Sequence, residues 1–375
     1  MEENYLKKQI GIMSMQRIFN YGSFLQAYSL RNIIKDLGYD VRFVDYHPDK
    51  PVIQLKEKKI FRKYGKAMET LKLNAPLEAK FKFIKYKRNY AKNYFPLLNL
   101  NSTKNYDTKE LDVLVIGSDE VFNCVQSNPN VGFSPDLFGA NAESKKLISY
   151  AASFGNTTLD KLNNYNLSGK LSKWMKNFNA ISVRDSNSAN IIRNLTEIEP
   201  SINFDPVLIY FDKKVLNSHL NKIEVKNKYL ILYGYNGRFS ISECKFIRKF
   251  ANDHDLKILC IGGLQHCCDE FIDCNPFEVL SYFKNAEYII TDTFHGTIMS
   301  IINNKKFVTL VRNSGYGNSQ KLEDLLDRLD LNAQKLNVLK NLTPYLEKEI
   351  NYDSVNKKLE EERSKTISYL TRNLA

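Results

Sequence analysis

The sequence predicts an α/β protein of two doubly wound domains that face each other. Three observations carry this. The 375-residue chain is long for one domain and, at 43% hydrophobic, can bury a sizeable core. Short apolar runs alternate with helix-period segments, and the alternation occurs on both sides of EIEPSINFDPV (residues 197–207), a stretch with two prolines and little periodicity. Several of the runs are continuous and β-branched, the pattern of parallel strands covered on both faces. The expected organisation is an N-terminal α/β domain over 1–200 with a basic helical insertion at about 52–105, a C-terminal α/β domain over 201–345, and a closing helical tail over 346–375.

In chain order, QIGIMS (9–14) reads as a strand and GSFLQAYSLRNIIKDLGY (22–39) as a helix closed by Gly38, followed by the strand VRFVDY (41–46). After the basic segment, LDVLVIGS (111–118), KLISYAAS (146–153) and AISVRD (180–185) are strand-like. In the second half KYLILYGY (228–235), LKILCIGG (256–263), AEYIITDT (286–293) and KFVTLVR (306–312) read as strands. ISECKFIRKFAND (241–253), PFEVLSYFKN (276–285), GTIMSIINN (296–304) and SQKLEDLLDRL (319–329) read as helices.

Composition excludes several classes. No apolar run reaches the ~20 residues that span a bilayer, and the N-terminus lacks the apolar stretch and cleavage site of a secretory signal. The six cysteines form no regular framework, so reduced thiols in a cytoplasm are expected. HCCDEFIDC (266–274) has the wrong spacing for a paired zinc site and reads as a loop with buried or free thiols. There is no dinucleotide fingerprint, P-loop or nucleophile elbow.

The net charge of +12 is concentrated. Between Lys56 and Lys92 thirteen Lys/Arg stand against three acids, with aromatics interleaved at roughly helical spacing. Two readings stay open: a solvated helix pair with an aromatic core face, or a basic surface in peripheral contact with an anionic membrane or an anionic substrate. Nucleic acid has no supporting motif.

Ligands in open parallel sheets bind at the carboxyl ends of strands. Four loops stand there. Asn20, Tyr21 and Gly22 bridge a strand and a helix whose amides suit an anion, although an ordinary βα turn reads the same way. Gly117, Ser118 and Asp119 follow an apolar strand. Asp119 either bonds a sugar hydroxyl or acts as a base, or merely sits in a helix's first turn. Arg184 ends a strand and suits a carboxylate or phosphate, or else pairs with Asp185 or Asp205 on the surface. In TDTFHG (291–296), His295 falls at a strand end near a helix N-terminus, a placement that suits acid–base work, and Gly296 is expected to admit a ligand.

At these residues the chain resembles the polysaccharide pyruvyl transferase family. The matching pieces are NYGSFLQAYSLRNIIKDLGYDVRFVDY, LDVLVIGSDEVFN, LISYAASFG, ISVRDSNSANIIRNL, FDPVLIY and EVLSYFKNAEYIITDTFHGTIMSIINNKKFV, in order over most of the chain. The resemblance implies two Rossmann-like domains in a glycosyltransferase-B-like arrangement, with the site between them. It implies a cytoplasmic enzyme that moves pyruvate from phosphoenolpyruvate onto two hydroxyls of a sugar, leaving a cyclic ketal. The acceptor would be a surface polysaccharide, capsule or exopolysaccharide, or its lipid-linked precursor. No cofactor or metal is implied, because cations and helix amides suffice for an anionic donor. The family motifs map onto Arg184 for the donor's anionic groups and onto His295 for acid–base work or a phosphate contact. Asp292, Gly296 and Thr297 come with the His295 motif. Some members carry Arg-Leu where this chain has Thr293-Phe294, and many carry an arginine where this chain has Lys321. A glycosyltransferase using a nucleotide sugar in the same cleft is the alternative reading.

Overall fold

The computed structural model describes residues 7–54, 68–223, 225–312 and 319–375. The apolar runs of the first half form β1 (Gln9–Met13), β2 (Asp40–Phe43), β3 (Val113–Asp119), β4 (Lys146–Ala152), β5 (Ser182–Val183) and β6 (Ser201–Ile202). They pair in the order β2-β1-β3-β4-β5-β6, all parallel. Every residue of β3 is buried, as its unbroken apolar run requires of a strand covered on both faces. The first sheet extends through Ile202.

The second sheet contains β7 (Tyr229–Tyr233), β8 (Lys257–Ile261), β9 (Glu270–Phe271), β10 (Tyr288–Thr291), β11 (Lys306–Leu310) and β12 (Lys335–Leu336). Its order is β12-β11-β10-β7-β8-β9, again all parallel. The protein is therefore built of two doubly wound domains, as expected from the sequence, in the arrangement the family resemblance implies. The strand order reverses between β1 and β3 in the first sheet and between β7 and β10 in the second. Crevices open at such switch points, and the loops that leave these four strands meet between the domains.

Nine helices matter for the site: α1 (Tyr21–Asp36), α2 (Leu77–Tyr94), α3 (Ser186–Leu195), α4 (Pro206–Tyr210), α5 (Ile241–Asp253), α6 (Pro276–Asn285), α7 (Phe294–Ile302), α8 (Ser319–Arg328) and α9 (Tyr352–Leu374). α1 stops short of Gly38, whose φ of +94° only glycine adopts freely. α7 starts two residues earlier than its apolar period indicates. The Thr293 side chain caps it by accepting from the Gly296 amide at 3.0 Å, which draws His295 into the first turn.

α2 is the described part of the basic segment; residues 55–67 lie outside the described residues. Its aromatic face, Phe83, Tyr86, Tyr90 and Tyr94, is buried, while Lys85, Arg88 and Lys92 are exposed. The aromatic core face of the first reading is thus present, and it crosses the domain boundary. Phe83 and Tyr86 meet Phe271, while Tyr94 and Tyr21 both donate to the Cys274 carbonyl at 2.8 Å. Burying rings of this size stabilises by about 1.5–3 kcal/mol each. α9 runs back to the first domain, where Tyr369 donates to the Ser149 carbonyl at 2.8 Å and Arg363 to Ile209 at 2.9 Å. All six cysteines are buried and free. Among the described residues no helix is long and apolar enough to cross a membrane.

Candidate active site between the domains

The wall from the first domain is a chain of caps and ion pairs. Asn20 caps α1 by accepting from the Ser23 amide at 2.7 Å, and the Ser23 hydroxyl donates to Asp119 Oδ2 at 3.0 Å. Asp119 ends β3 at a φ of +77°, which turns its carboxylate towards Arg184. Arg184 donates through Nη2 to Asp119 Oδ1 at 3.4 Å and through Nη1 to Asp205 Oδ2 at 3.0 Å. Asp205 also caps α4, where Oδ1 accepts from the Val207 amide at 3.0 Å. The Arg184 side chain is 1% exposed, and its guanidinium lies 4.2 Å from the Phe294 ring centroid.

The second domain presents α7. His295 Nε2 stands 3.5 Å from Asp205 Oδ2, within ion-pair distance but without hydrogen-bond geometry. From α8, Lys321 pairs with Glu120, the residue after β3. Beyond β7, Arg238 pairs with the buried Asp292 at 2.8 Å, and Arg312 holds the same carboxylate at 2.9 Å. Together these loops line a cleft of about 520 Å³.

The charges are matched by burial. Burial alone would raise the Asp119 carboxyl's pKa, but Arg184 and His295 outweigh it and hold the group below its ordinary value. Asp205 is likewise held down, with His295 and Arg184 overriding its burial. Glu120 is held down by Lys321 against the same penalty. These carboxylates stay ionised at neutral pH, so they position cations and orient neighbours better than they donate protons. Among the described residues no group of three or more His, Cys, Asp or Glu is placed to hold a metal.

Of the residues expected from the sequence, Asn20, Asp119, Arg184, His295 and Lys321 converge on the cleft. Arg184 does pair with Asp205, but in the interior and not on the surface. Six others stand outside the lining. Tyr21 is fully buried in the interdomain tyrosine cluster. Gly22 makes room for protein and not for a ligand: a Cβ there would come within 2.3 Å of His295 Cγ and Nδ1. Ser118 donates to the Ala151 carbonyl at 2.9 Å inside the sheet. Asp292 is engaged by the two arginines. Gly296 permits close packing of α7, since a Cβ would fall 2.2 Å from Thr291 Oγ1. Thr297 is bonded to the Thr293 carbonyl and to Thr309.

Asp205, Glu120, Arg238 and Phe294 stand at the site although sequence reasoning assigned none of them to it; it named Asp205 only as a surface partner of Arg184. Asp205 had a readable signal, an aspartate directly before a proline that opens a helix.

The sequence model of the polysaccharide pyruvyl transferase family matches residues 20–314. No curated protein matches. Among solved structures, a mutant O-GlcNAc transferase of Thermobaculum terrenum superposes with a TM-score of 0.42 at 9% identity over 96% of this chain; the chain spans only 64% of that protein's length. The UDP-GlcNAc 2-epimerase of Neisseria meningitidis, bound to UDP-GlcNAc, gives 0.47 at 10% identity over 98% of this chain and 100% of the other. An α-glucosyltransferase in complex with UDP gives 0.40 at 11% identity, covering 97% and 96%.

Proposed function

The chain belongs to the polysaccharide pyruvyl transferase family, and from that membership we propose that it transfers the pyruvyl group of phosphoenolpyruvate to a sugar diol, forming a ketal. The observation that carries the reading is the convergence of His295, backed by Asp205, with the cations Arg184, Arg238 and Lys321 in one cleft drawn from both domains. A donor that bears both a phosphate and a carboxylate suits such a cluster.

In this reading His295 governs proton movement at the donor. The enol methylene carbon gains a proton and becomes a methyl group, leaving an oxocarbenium-like centre at the neighbouring carbon. One sugar hydroxyl adds there, the bond to phosphate breaks, and the second hydroxyl closes the ketal. Two hydroxyl protons are released; one balances the methyl group and the other leaves with phosphate. Arg184 holds Asp119 and Asp205 ionised beside the ring. Lys321 and Arg238, with side chains 12% and 11% exposed, are the cations that reach the donor. Asp119, tied to Ser23 and Arg184, accepts from a sugar hydroxyl.

The acceptor belongs to surface polysaccharide synthesis, and the enzyme works in the cytoplasm. The test is donor choice. Phosphoenolpyruvate should raise the melting temperature and, with a sugar acceptor, release phosphate. His295→Ala should keep the fold and lose roughly 10²–10⁴-fold in turnover. Stabilisation by a nucleotide sugar with no response to phosphoenolpyruvate would replace this reading with a glycosyltransferase.

A further inference from the structure

The cleft does not end at the reacting residues. A second groove of about 1190 Å³ opens from it along α2, and the two share Ile18, Asn20, Asn128, Tyr235 and Gly262. The groove is more than twice the volume of the cleft, far beyond what a single sugar ring and a three-carbon donor need. We propose that this groove seats an acceptor glycan over several sugar units and that it is built for a chain carrying carboxylates. The proposal rests on the pyruvyl transfer reading above, which it deepens by naming the acceptor class.

Two aromatic rings mark the entrance. Tyr235, 53% exposed, lines both cavities, and Phe19, 42% exposed, lines the groove. Both are backed from within: Arg238 lies 5.5 Å from the Tyr235 ring centroid, and Phe19 stacks on Tyr90 at 5.4 Å. Lys87 fixes the Phe19 backbone by donating to its carbonyl at 2.8 Å. A rigid, half-exposed ring suits the apolar face of a sugar, which costs little ordering to bind. The apolar liners deeper in, Phe83 and Leu100, are only 6% and 7% exposed. What faces solvent is mixed and mainly apolar, with Phe19, Phe95 and Pro96 exposed or half-exposed beside amide groups and rim lysines; sugar faces suit such a surface, and it is the rim charge that argues against an uncharged hydrocarbon tail.

The charge argues for carboxylates. Among the described lining residues four are cations against the single acid Glu69; Arg17 is paired with Asp45 and Lys87 donates to the Phe19 carbonyl, so the exposed rim charge comes from Lys92 and Lys104. A ketal formed from pyruvate keeps the pyruvate carboxylate, so each round of the proposed reaction leaves one negative charge on the chain. A basic groove next to the cleft would hold a chain already modified, or one with acidic sugars of its own.

Calorimetry on the full chain tests this with four probes: galacturonic acid, its hexamer, cellohexaose and farnesyl diphosphate. The acidic hexamer should bind at least about tenfold tighter than its monomer through adjacent subsites, and should weaken as salt rises. Lys92→Glu with Lys104→Glu should cost roughly two- to fivefold per lysine for the acidic hexamer and leave cellohexaose unchanged. Tyr235→Ala should weaken both hexamers. A hexamer that binds no better than its monomer, a charge-reversed protein that binds like the wild type, or tighter binding of farnesyl diphosphate than of either glycan would overturn the groove assignment. Thermal shift with phosphoenolpyruvate on the same samples separates the two claims. Intact glycan binding with no phosphoenolpyruvate response would defeat the donor assignment alone, and the reverse would defeat the groove alone.

Discussion

Asp205 offers the sharpest separation of structure from chemistry. One carboxylate serves three partners: Arg184 Nη1 at 3.0 Å, the Val207 amide at 3.0 Å and His295 Nε2 at 3.5 Å. Asp205→Ala breaks a buried ion pair and leaves Arg184 short of a counter-charge, which costs about 3–5 kcal/mol. Losing the α4 cap adds about 1 kcal/mol. A fall in melting temperature on the order of 10 °C should follow. Asp205→Asn keeps an oxygen for Val207 and a group of the same shape, and Arg184 retains Asp119 at 3.4 Å. Its stability cost should be nearer 1–3 kcal/mol. If the carboxylate also orients and charges His295, the asparagine variant should lose on the order of 10²-fold or more in turnover while donor affinity changes little. Donor-dependent phosphate release and thermal melts on both variants decide it. An asparagine variant with wild-type turnover would refute the orienting role and leave Asp205 a purely structural residue.

Gly22→Ala places a methyl group within 2.3 Å of the His295 ring; the helix gains at most about 1 kcal/mol of propensity against about 1–3 kcal/mol of overpacking, so melting should fall by up to a few degrees while turnover falls, and unchanged turnover would mean that this contact does not set the ring. Lys321→Met should weaken phosphoenolpyruvate more than it slows turnover, measured as a shift in donor KM. Asp119, Asp205 and Glu120 are held below their ordinary values, so their stabilisation is present above the unfolded values near 4 and is lost as pH falls through the lower folded ones. The unfolding free-energy difference between wild type and Asp205→Asn should therefore be flat from about pH 7 to 5 and shrink below about pH 4, as denaturant titrations would record. The basic segment, which includes the exposed Leu77 and Phe81 of α2, should sediment with anionic liposomes and release as salt rises; equal binding to neutral liposomes would exclude an electrostatic attachment.

The parts of the fold that depend on local pattern were legible in the sequence. Continuous β-branched runs located the longer strands, and the helical spacing of Phe83, Tyr86, Tyr90 and Tyr94 placed one buried face on α2. The strands β6, β9 and β12 escaped because two residues show no period and, unlike β5 within AISVRD, no strand-like run surrounds them; β9 lies within the cysteine-rich stretch that reads as loop. His295 was legible because a histidine followed by glycine at a strand–helix junction is locally odd. The meaning of that glycine and of Gly22 was not legible. Gly296 serves its own helix, and Gly22 serves a ring from the other domain, a contact no local window contains. Asp205 was legible only as a helix start and as a surface partner for Arg184. Its neighbours spell a helix start, while its importance comes from Arg184 and His295, which reach it only once both sheets have formed.

Pairing also decides which cation can meet a donor. The Arg184–Asp205 pair has side chains 1% and 0% exposed, so freeing that arginine would strand a buried carboxylate. Lys321 and Glu120 are 12% and 29% exposed, and Glu120 has a second partner in Asn123 at 2.7 Å. Lys321 can therefore exchange Glu120 for a phosphate or carboxylate while water and Asn123 satisfy the acid it leaves. A site whose charges are balanced when empty gains specificity this way. In the proposed reaction the donor would meet Lys321 and the Asp292-paired Arg238, with its reacting carbon on the His295 side of the cleft. On the proposed reading Arg184 would act through the two carboxylates it keeps ionised, and Lys321, where many family members carry an arginine, would make the contact that changes.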